Sequence, residues 1–437
     1  MSNAQAEPGT ATGERPDPGS TVRSRRKSLL ASTIGNVLEW YEWSAYAVFT
    51  PFIAKAMFHS ADTMSALLST LAVFAVGFLM RPLGGIVFGG VADRRGRKFV
   101  LVTTMLMMAG GSLAIGLMPG YASIGAGASL ALLLARMIQG FAHGGESATA
   151  NTYIAEIAPS ERRGLWGSIV FVAIFGGSAL AFSVGGAVTS LLSKSEVAQW
   201  GWRIPFLLGA LLALAALYLR RSMDESEVFS DEQSNAATRP LPRWQVTRAV
   251  LLVILMTSGI TAAHYTWTSY VSTYAIIQKG MDPAAAYWCS VAAQCVALLT
   301  LPLWGHLSDR IGRRPLMITF AVLMFALQIP LKQLIGSPGW TLLVADSIAL
   351  TLVAIPGALL SATMAENFPT RVRTQAIGFA YSVSVAVFGG TAPYLNQLFV
   401  GLGQARFSSF YIMLLCVFTG LACYLMRETK GVQLKDV

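Results

Sequence analysis

Charged residues are scarce in this sequence. Only 12% of its 437 residues are Asp, Glu, Lys or Arg, and 54% are hydrophobic. Soluble domains carry about 25% charged residues, because a folded chain needs charge to cover the surface that meets water. The composition therefore excludes an ordinary soluble protein and indicates that most of the surface faces lipid.

Motifs for catalysis and metal binding are also missing. The four cysteines, Cys289, Cys295, Cys416 and Cys423, lie inside apolar segments and have neither disulfide nor zinc spacing. The sequence contains no phosphate-binding loop, nucleophile elbow or metal-ligand spacing. We therefore expect no cofactor, no metal and no enzyme activity. A sensor that has lost transport is the remaining alternative outside the transporters.

Acidic residues are outnumbered by basic ones, 22 against 32, which gives a net charge of +10. Such an excess can indicate nucleic-acid binding. Here, however, most basic residues gather in short clusters between apolar segments, the pattern of cytoplasmic loops under the positive-inside rule. The clusters lie at Arg23–Lys27, Arg94–Lys98, Arg162–Arg163, Arg220–Arg248, Arg310–Arg314, Arg371–Arg373 and from Arg427 onward. The pattern predicts a membrane topology and no nucleic-acid partner.

Long apolar runs are abundant. Twelve stretches of about 20 residues are each long enough to cross a bilayer as a helix. They lie near 29–53, 64–90, 99–119, 126–153, 164–191, 202–220, 249–276, 284–306, 316–335, 340–364, 375–400 and 406–426. We therefore predict an all-α protein of twelve transmembrane helices in a cell membrane of the bacterial inner-membrane type. The even number of spans and the basic clusters place both termini in the cytoplasm.

The longest internal polar stretch divides the chain into two halves. We predict a disordered cytoplasmic N-terminus at 1–28, a six-helix bundle at 29–220, a cytoplasmic linker at 221–248, a second six-helix bundle at 249–427 and a cytoplasmic tail at 428–437. We expect the protein to function as a monomer.

A ten-residue segment occurs once in each half. GGVADRRGRK runs from Gly89 to Lys98, and GHLSDRIGRR runs from Gly305 to Arg314. Such a parallel duplication is typical of transporters whose substrate site lies between the halves. We expect the glycines to allow a tight turn and the aspartate to face the N-terminus of a neighbouring helix. The predicted gating residues are Gly89, Asp93, Arg94, Gly96 and Arg97 in the first copy, and Gly305, Asp309, Arg310, Gly312 and Arg313 in the second.

The doubled segment resembles the signature loop of the major facilitator superfamily. GNVLEWYE at Gly35–Glu42, RPLGG at Arg81–Gly85 and the stretch Arg136–Glu146 resemble the metabolite:proton symporter family within it. The resemblance implies proton-coupled symport by alternating access, with a substrate such as 2-oxoglutarate, citrate, a dicarboxylate, shikimate, proline or betaine. Two positions depart from the family: Glu42 stands where Asp is usual, and Glu227 where Pro is usual.

Several ionisable residues fall inside predicted spans of the first half. Each is costly at membrane depth and is therefore a functional candidate. Arg136, Gln139, His143 and Glu146 form one polar stripe along a helix, and Glu39 and Glu42 are one turn apart on another. The three acids Glu39, Glu42 and Glu146 outnumber the two bases Arg81 and Arg136 by one, and the simplest balance is a proton on one of the acids. Arg81 and Glu146 have similar depths, so a purely structural pair between them stays open.

These residues receive predicted roles. Arg136 is the first carboxylate anchor and Arg81 the second, because a guanidinium binds a carboxylate through two parallel hydrogen bonds. Gln139 and Tyr46 belong to the same predicted substrate site. For proton coupling we choose Glu42 first and Glu39 second, with Glu146 and His143 as alternatives.

The second half is poorer in charge. His264 shares a helix face with Trp267, Val271 and Tyr274, and Tyr270 lies nearby. This stripe is either aromatic packing or a cavity wall that contacts substrate. Lys332 and Asp346 lie near the outer ends of their spans, where we expect water or mutual pairing to satisfy them. A competing substrate class is a zwitterionic osmolyte, whose quaternary ammonium would be held by a cage of aromatic rings. The cage candidates are Trp40, Trp43, Trp267, Tyr270 and Tyr274.

Overall fold

The computed structural model describes residues 18–59, 62–95, 97–144, 154–155, 158–221, 243–368 and 373–434. The regular structure in these ranges is helical. The α-helices are α1 (Pro18–Met57), α2 (Thr63–Leu79), α3 (Arg81–Arg95), α4 (Arg97–Leu117), α5 (Tyr121–Ile124), α6 (Ala126–Gly144), α7 (Arg163–Leu191), α8 (Lys194–Gln199), α9 (Ile204–Arg221), α10 (Arg243–Tyr265), α11 (Val271–Lys279), α12 (Pro283–Ile311), α13 (Arg313–Leu334), α14 (Gly339–Glu366), α15 (Arg373–Ser384), α16 (Ala392–Gly401) and α17 (Ala405–Leu425). Single π-helical turns, Thr266–Tyr270 and Val385–Gly389, interrupt the seventh and eleventh predicted spans.

Much of the outer surface is apolar. Nine helical segments within the described ranges are long and apolar enough to cross a membrane; α2 and α3, for example, together form the segment Thr63–Val91. Large apolar side chains point outward along these helices, and Leu299 is 76% exposed. A water-soluble protein rarely exposes so much contiguous apolar surface, so this surface suits contact with lipid.

Two predicted boundaries differ from the helix ends. α1 begins at Pro18, so residues 18–28, placed in the N-terminal tail by composition, form helix. Proline is favoured in the first helical turn because its missing N–H has no partner there in any case. α10 begins at Arg243, inside the predicted linker. Residues 1–17 and 222–242 lie outside the described ranges.

Close glycine contacts bring α6 against α2 and α3. A Cβ at Gly140 would overlap the carbonyl oxygen of Gly77, and a Cβ at Gly144 would overlap that of Arg81. Glycines four residues apart let two membrane helices approach backbone to backbone. This packing fixes α6, which carries three of the predicted site residues, directly beside Arg81.

Gly140→Ala is expected to destabilise the protein by about 1–3 kcal/mol, because the added methyl group has no space between two backbones. The matched control is Gly110→Ala, since a Cβ at Gly110 meets nothing within 4 Å. Thermal unfolding of the purified variants measures the difference. An equal unfolding temperature for the two variants would contradict the close packing.

The two halves, α1–α9 and α10–α17, meet at both ends of the molecule. At one end Gly164 and Gly305 pack so closely that a Cβ on either would lie 2.7 Å from the carbonyl oxygen of the other. At the opposite end the Tyr287 hydroxyl donates a hydrogen bond of 2.6 Å to the carbonyl oxygen of Val48. The space between the halves is therefore closed on both sides, which is an occluded conformation.

Candidate functional site

A narrow central cavity lies between the two halves. The open space inside it is only about the size of one water molecule, so its lining side chains nearly close it. The first half contributes Trp40, Trp43, Ser44, Phe74, Ile174 and Ser178, and the second half contributes His264, Tyr265, Thr268 and Ser269. A ligand in this space would touch both halves at once, as alternating access requires.

Arg136 is buried behind this cavity, with 1% of its surface exposed. The guanidinium carbon lies 4.0 Å from the ring centre of Trp43 and 4.4 Å from that of Tyr46. Nη1 donates a 2.9 Å hydrogen bond to Oε1 of Gln139. Nε and Nη2 have no hydrogen-bond acceptor among the described residues. A buried cation thus keeps two donor groups unused.

Arg81 also packs against Trp43. Its guanidinium carbon is 4.3 Å from the Trp43 ring centre and 3.8 Å from that of Phe78. Within the described ranges, Nε and Nη2 again lack an acceptor. Tyr265 and Tyr381, both from the second half, lie near this guanidinium. Arg81 is thus the arginine that faces across the interface, whereas Arg136 lies inside the first half.

Glu39 and Glu42 have different neighbours, although they are one turn apart. Glu39 contacts Nδ1 of His143, which also accepts a 3.0 Å hydrogen bond from Nε1 of Trp43. Glu39 also lies near Arg81. The two carboxylates were predicted to share a helix face, but they lie in two separate environments.

Glu42 lies deeper in the first half and is 4% exposed. Neither of its oxygens accepts a well-formed hydrogen bond from the described residues, although Ser112 lies beside the carboxylate. The Ser112 hydroxyl oxygen accepts a 2.9 Å hydrogen bond from Nε2 of Gln139, whose Oε1 binds Arg136. Gln139 and Ser112 thus form a polar bridge between Arg136 and Glu42.

The aromatic stripe of the second half is divided between two cavities. His264 lines the central cavity, 6.0 Å from Trp40 between ring centres. Trp267 and Tyr270 instead line a second cavity and donate to Gln328 and Gln397. The π-helical turn at Thr266–Tyr270 rotates the side chains away from the α-helical period that the sequence pattern assumed. Tyr265 and Tyr381, which sequence reasoning missed, are the second-half residues that lie beside Arg81.

The second copy of the doubled loop joins the two halves. Asp309 accepts hydrogen bonds from the backbone N–H groups of Gly164 (2.8 Å) and Leu165 (3.0 Å) at the start of α7. Arg313 binds Asp309 at 2.7 Å. Gly312 has φ +108°, which a residue with a Cβ rarely adopts. The carboxylate therefore lies at a helix N-terminus, where the macrodipole favours negative charge.

The remaining loop candidates are less informative. Arg94 and Arg310 are exposed, and a Cβ at Gly89 would meet nothing within 4 Å. The structure does not describe Gly96, Glu146 or the side chains of Asp93 and Arg97. The predicted pairing of Arg81 with Glu146 therefore lies outside the described residues.

The C-terminal tail folds onto the same end of the molecule. Glu428 accepts 2.9 Å hydrogen bonds from the backbone N–H groups of Arg313 and Arg314. Thr429 donates to Glu366 at 2.6 Å, and Glu366 also binds Arg163 of the first half at 2.9 Å. Sequence reasoning had assigned no contact to this segment. The tail reinforces the closed end around Asp309.

Asp309→Asn is expected to slow substrate exchange about tenfold while changing substrate affinity less than about twofold, because the residue biases conformation without touching the cavity. The matched control is Asp282→Asn: Asp282 caps α12 through Ala285 at 3.1 Å and does not bridge the halves. Exchange rate and dissociation constant are measured on the same reconstituted samples. A large loss of affinity with a normal exchange rate would contradict this role.

Comparison with protein families gives a match over most of the chain. The family model described as Major Facilitator Superfamily matches residues 33–393 and 278–435. The alpha-ketoglutarate permease of Escherichia coli K12 is 35% identical over 429 residues, which cover 97% of this chain and 99% of the permease. The ectoine/proline transporter ProP of Corynebacterium glutamicum is 35% identical over 434 residues, with 93% and 84% coverage.

Solved structures agree with the fold. The crystal structure of a D-xylose-proton symporter superimposes with a TM-score of 0.76 and 20% identity, covering 93% of this chain and 99% of that one. Likeness at this identity concerns architecture alone. It confirms the predicted fold class, an all-α membrane protein with twelve transmembrane helices in two bundles.

Proposed function

We propose that this chain, which belongs to the Major Facilitator Superfamily and is a membrane transporter and not an enzyme, imports a small carboxylate together with a proton. The observation that carries this proposal is the pair of buried arginines packed against Trp43, each with two donor nitrogens that lack an acceptor among the described residues. A buried cation without an acceptor is costly, and a carboxylate would satisfy it.

Glu42 and Glu39 are the residues that would couple proton movement to substrate transport. Glu42 is linked to Arg136 through Gln139 and Ser112, while Glu39 lies near Arg81. Protonation of Glu42 would weaken its hold on Arg136 and free the guanidinium for an incoming carboxylate. Loss of the proton to the cytoplasm would restore the attraction to Glu42 and expel the substrate. One proton then accompanies one anion.

The conformational cycle follows from the closed ends. Opening toward the cytoplasm requires Asp309 to leave the N-terminus of α7 and Glu366 to leave Arg163. Opening on the other side requires the Tyr287–Val48 contact to break. The occluded conformation is thus an intermediate between two states, each opened by breaking one set of contacts.

A zwitterionic osmolyte is the second candidate substrate. Trp40 and Trp43 line the central cavity together with Tyr265, so an aromatic surface for a quaternary ammonium is present. The similarity to the ectoine/proline transporter favours the same class. Both substrate classes carry a carboxylate, which the unused donors of Arg81 and Arg136 would bind. The positive group of a zwitterionic osmolyte would then have to lie among the aromatic rings.

Ligand binding separates the two candidates. Thermal unfolding of the purified protein is measured against 2-oxoglutarate, citrate, succinate, shikimate, proline and glycine betaine. We expect a saturable rise in unfolding temperature with one of the carboxylates, since a ligand that binds only the folded state stabilises it. A rise with betaine or proline and with none of the acids would establish the osmolyte class instead.

The proposed membrane orientation has its own test. We place both termini and the segment 221–248 in the cytoplasm of a bacterial inner membrane. In a cysteine-free background, Ser195→Cys on the exposed helix α8 should react with an impermeant thiol reagent added outside intact cells. Ser230→Cys, in the linker, should react only after the cells are broken. Equal labelling of both positions from outside would refute the orientation.

A further inference from the structure

The π-helical turn Thr266–Tyr270 directs its side chains to two different surroundings. Thr268 and Ser269 line the central cavity. The other three side chains of the turn do not line that cavity, and each is hydrogen-bonded to a side chain of another helix in the second half. The turn therefore lies between the proposed substrate site and the helices behind it.

Three buried hydrogen bonds hold this turn from behind, one for each side chain that faces away from the central cavity. Written from donor to acceptor, they are Asn396 Nδ2 to Thr266 Oγ1 (3.0 Å), Trp267 Nε1 to Gln328 Oε1 (3.0 Å) and the Tyr270 hydroxyl to Gln397 Oε1 (2.9 Å). The residues behind the turn belong to α13 and α16. None of the six side chains belongs to a residue more than 3% exposed, so loss of any bond would leave a buried polar group without a partner.

Lys332 lies beside this arrangement, and its surroundings correct an expectation from the sequence. Lys332 and Asp346 are 8% and 1% exposed, so the expectation that water would satisfy them is wrong. Their mutual pairing is also wrong, because no ion pair of Lys332 occurs in the described part of the chain. Nζ of Lys332 contacts Oδ1 of Asn396 at 3.2 Å and the hydroxyl oxygen of Ser408. The ring centre of Tyr274 lies 5.2 Å from the same nitrogen.

Lys332 fixes the orientation of the Asn396 side chain. An ammonium group can only donate, so the amide oxygen of Asn396 faces Lys332 and the amide nitrogen faces Thr266. The same nitrogen donates to the carbonyl oxygen of Ala392 at 2.9 Å. A flipped amide would set donor against donor at Lys332 and oxygen against oxygen at Ala392. Lys332 therefore decides which atom of Asn396 meets the turn.

The direction of the cavity-facing side chains depends on the π-helical form of the turn. Its hydrogen bond joins the backbone N–H of Val271 to the carbonyl oxygen of Thr266, five residues apart where an α-helix has four. The extra residue changes the register between the helical segments before and after it. Loss of the π-helical turn would therefore change which side chains face the central cavity.

We propose that four buried residues behind the turn are positioning residues for the substrate site. They are Gln328, Lys332, Asn396 and Gln397. By holding the π-helical turn they fix Thr268 and Ser269 at the wall of the central cavity, because hydrogen bonds in a buried network are strong and select one arrangement. None of the four lines that cavity, so they act through the turn. The inference rests on the proposed function only in taking the central cavity as the substrate site.

Cysteine reactivity tests the orientation of the turn without a ligand. In the full-length protein without its native cysteines, Ser269→Cys reports the turn, and Ser44→Cys reports the part of the cavity wall contributed by α1. Both are labelled with a small methanethiosulfonate. Opening of the cavity changes both labelling rates together, so their ratio isolates the turn. Tyr270→Phe and Gln328→Leu each remove one hydrogen bond to the turn and should change this ratio about threefold or more.

Tyr41→Phe is the matched control. Tyr41 also donates a buried 2.9 Å hydrogen bond, to the carbonyl oxygen of Pro205 within the first half, and it lines neither cavity. This variant should lower the unfolding temperature as Tyr270→Phe does but leave the labelling ratio unchanged. A labelling ratio in Tyr270→Phe and Gln328→Leu equal to that of the protein without these changes would overturn the proposal.

Equilibrium binding of labelled 2-oxoglutarate measures the consequence for the substrate site. Tyr270→Phe and Gln328→Leu should raise the dissociation constant about threefold to tenfold, the effect of one lost hydrogen bond, and Tyr41→Phe should not. A changed labelling ratio with an unchanged dissociation constant would overturn the positioning role. If the unaltered protein binds glycine betaine instead, that compound is the probe. If it binds neither, both candidate substrate classes are refuted, and the labelling ratio still decides whether the four residues hold the turn.

Discussion

Arg136→Ala is expected to raise the dissociation constant of the carboxylate substrate about 100-fold, equivalent to about 3 kcal/mol, because a charge-assisted interaction in a buried site is lost. Arg136→Lys should not restore affinity. A lysine ammonium group lacks the planar fork that a carboxylate binds, and it would stack less well between Trp43 and Tyr46. Equilibrium binding of the labelled substrate measures both variants.

A matched control separates loss of the anchor from loss of packing. Arg203 also lies over a tryptophan ring, 4.5 Å from the centre of Trp202, but it binds Gln199 and Met118 away from both cavities. Arg203→Ala should therefore bind substrate normally. If Arg136→Ala also keeps near-normal affinity, Arg136 is structural and Arg81, which faces the second half, becomes the anchor.

Glu42→Gln is expected to abolish uphill uptake driven by a pH gradient and to spare substrate counterflow. Glutamine keeps the shape of a protonated glutamate but cannot release a proton, so net proton movement stops. Counterflow exchanges substrate for substrate and needs no net proton transfer. Both assays use the same proteoliposomes, with the pH gradient as the only difference between them.

Glu39→Gln is the comparison for this experiment, because Glu39 contacts His143 and lies near the other arginine. If Glu39→Gln alone loses uphill uptake while Glu42→Gln loses both activities, the coupling role belongs to Glu39. If both variants keep full accumulation, coupling lies at His143, Glu146 or His264.

The sequence was sufficient to predict the architecture and the contact of Asp309, in the doubled segment, with the N-terminus of a neighbouring helix. Apolar runs of about 20 residues are long-range signals that depend little on packing, so the spans and the fold class were predictable. Composition was a poorer guide at the chain start. The first 22 residues were assigned to a disordered tail because they are rich in Pro, Gly, Ser and Thr, yet helix α1 already begins at Pro18.

The neighbours of the site residues were harder to predict. Helical periodicity placed His264 and Trp267 on one stripe, but a single π-helical turn separates them into two cavities. The deep burial of Lys332 depends on Asn396 and Ser408, which come from spans far away in the sequence. The tail contacts of Glu428 likewise join residues more than one hundred positions apart. Single-sequence patterns carry no information on such long-range contacts.

The central claim is that protons drive carboxylate accumulation through the central cavity, with Arg81 and Arg136 packed against Trp43 of its wall as the anchors. The most direct measurement is uptake of labelled 2-oxoglutarate, or of the acid selected by the binding screen, into proteoliposomes that contain this protein alone. An inside-alkaline pH gradient should drive accumulation above the external concentration, and a protonophore should release it. Equilibration without accumulation, or accumulation that persists with the protonophore and follows a sodium gradient instead, would contradict the account.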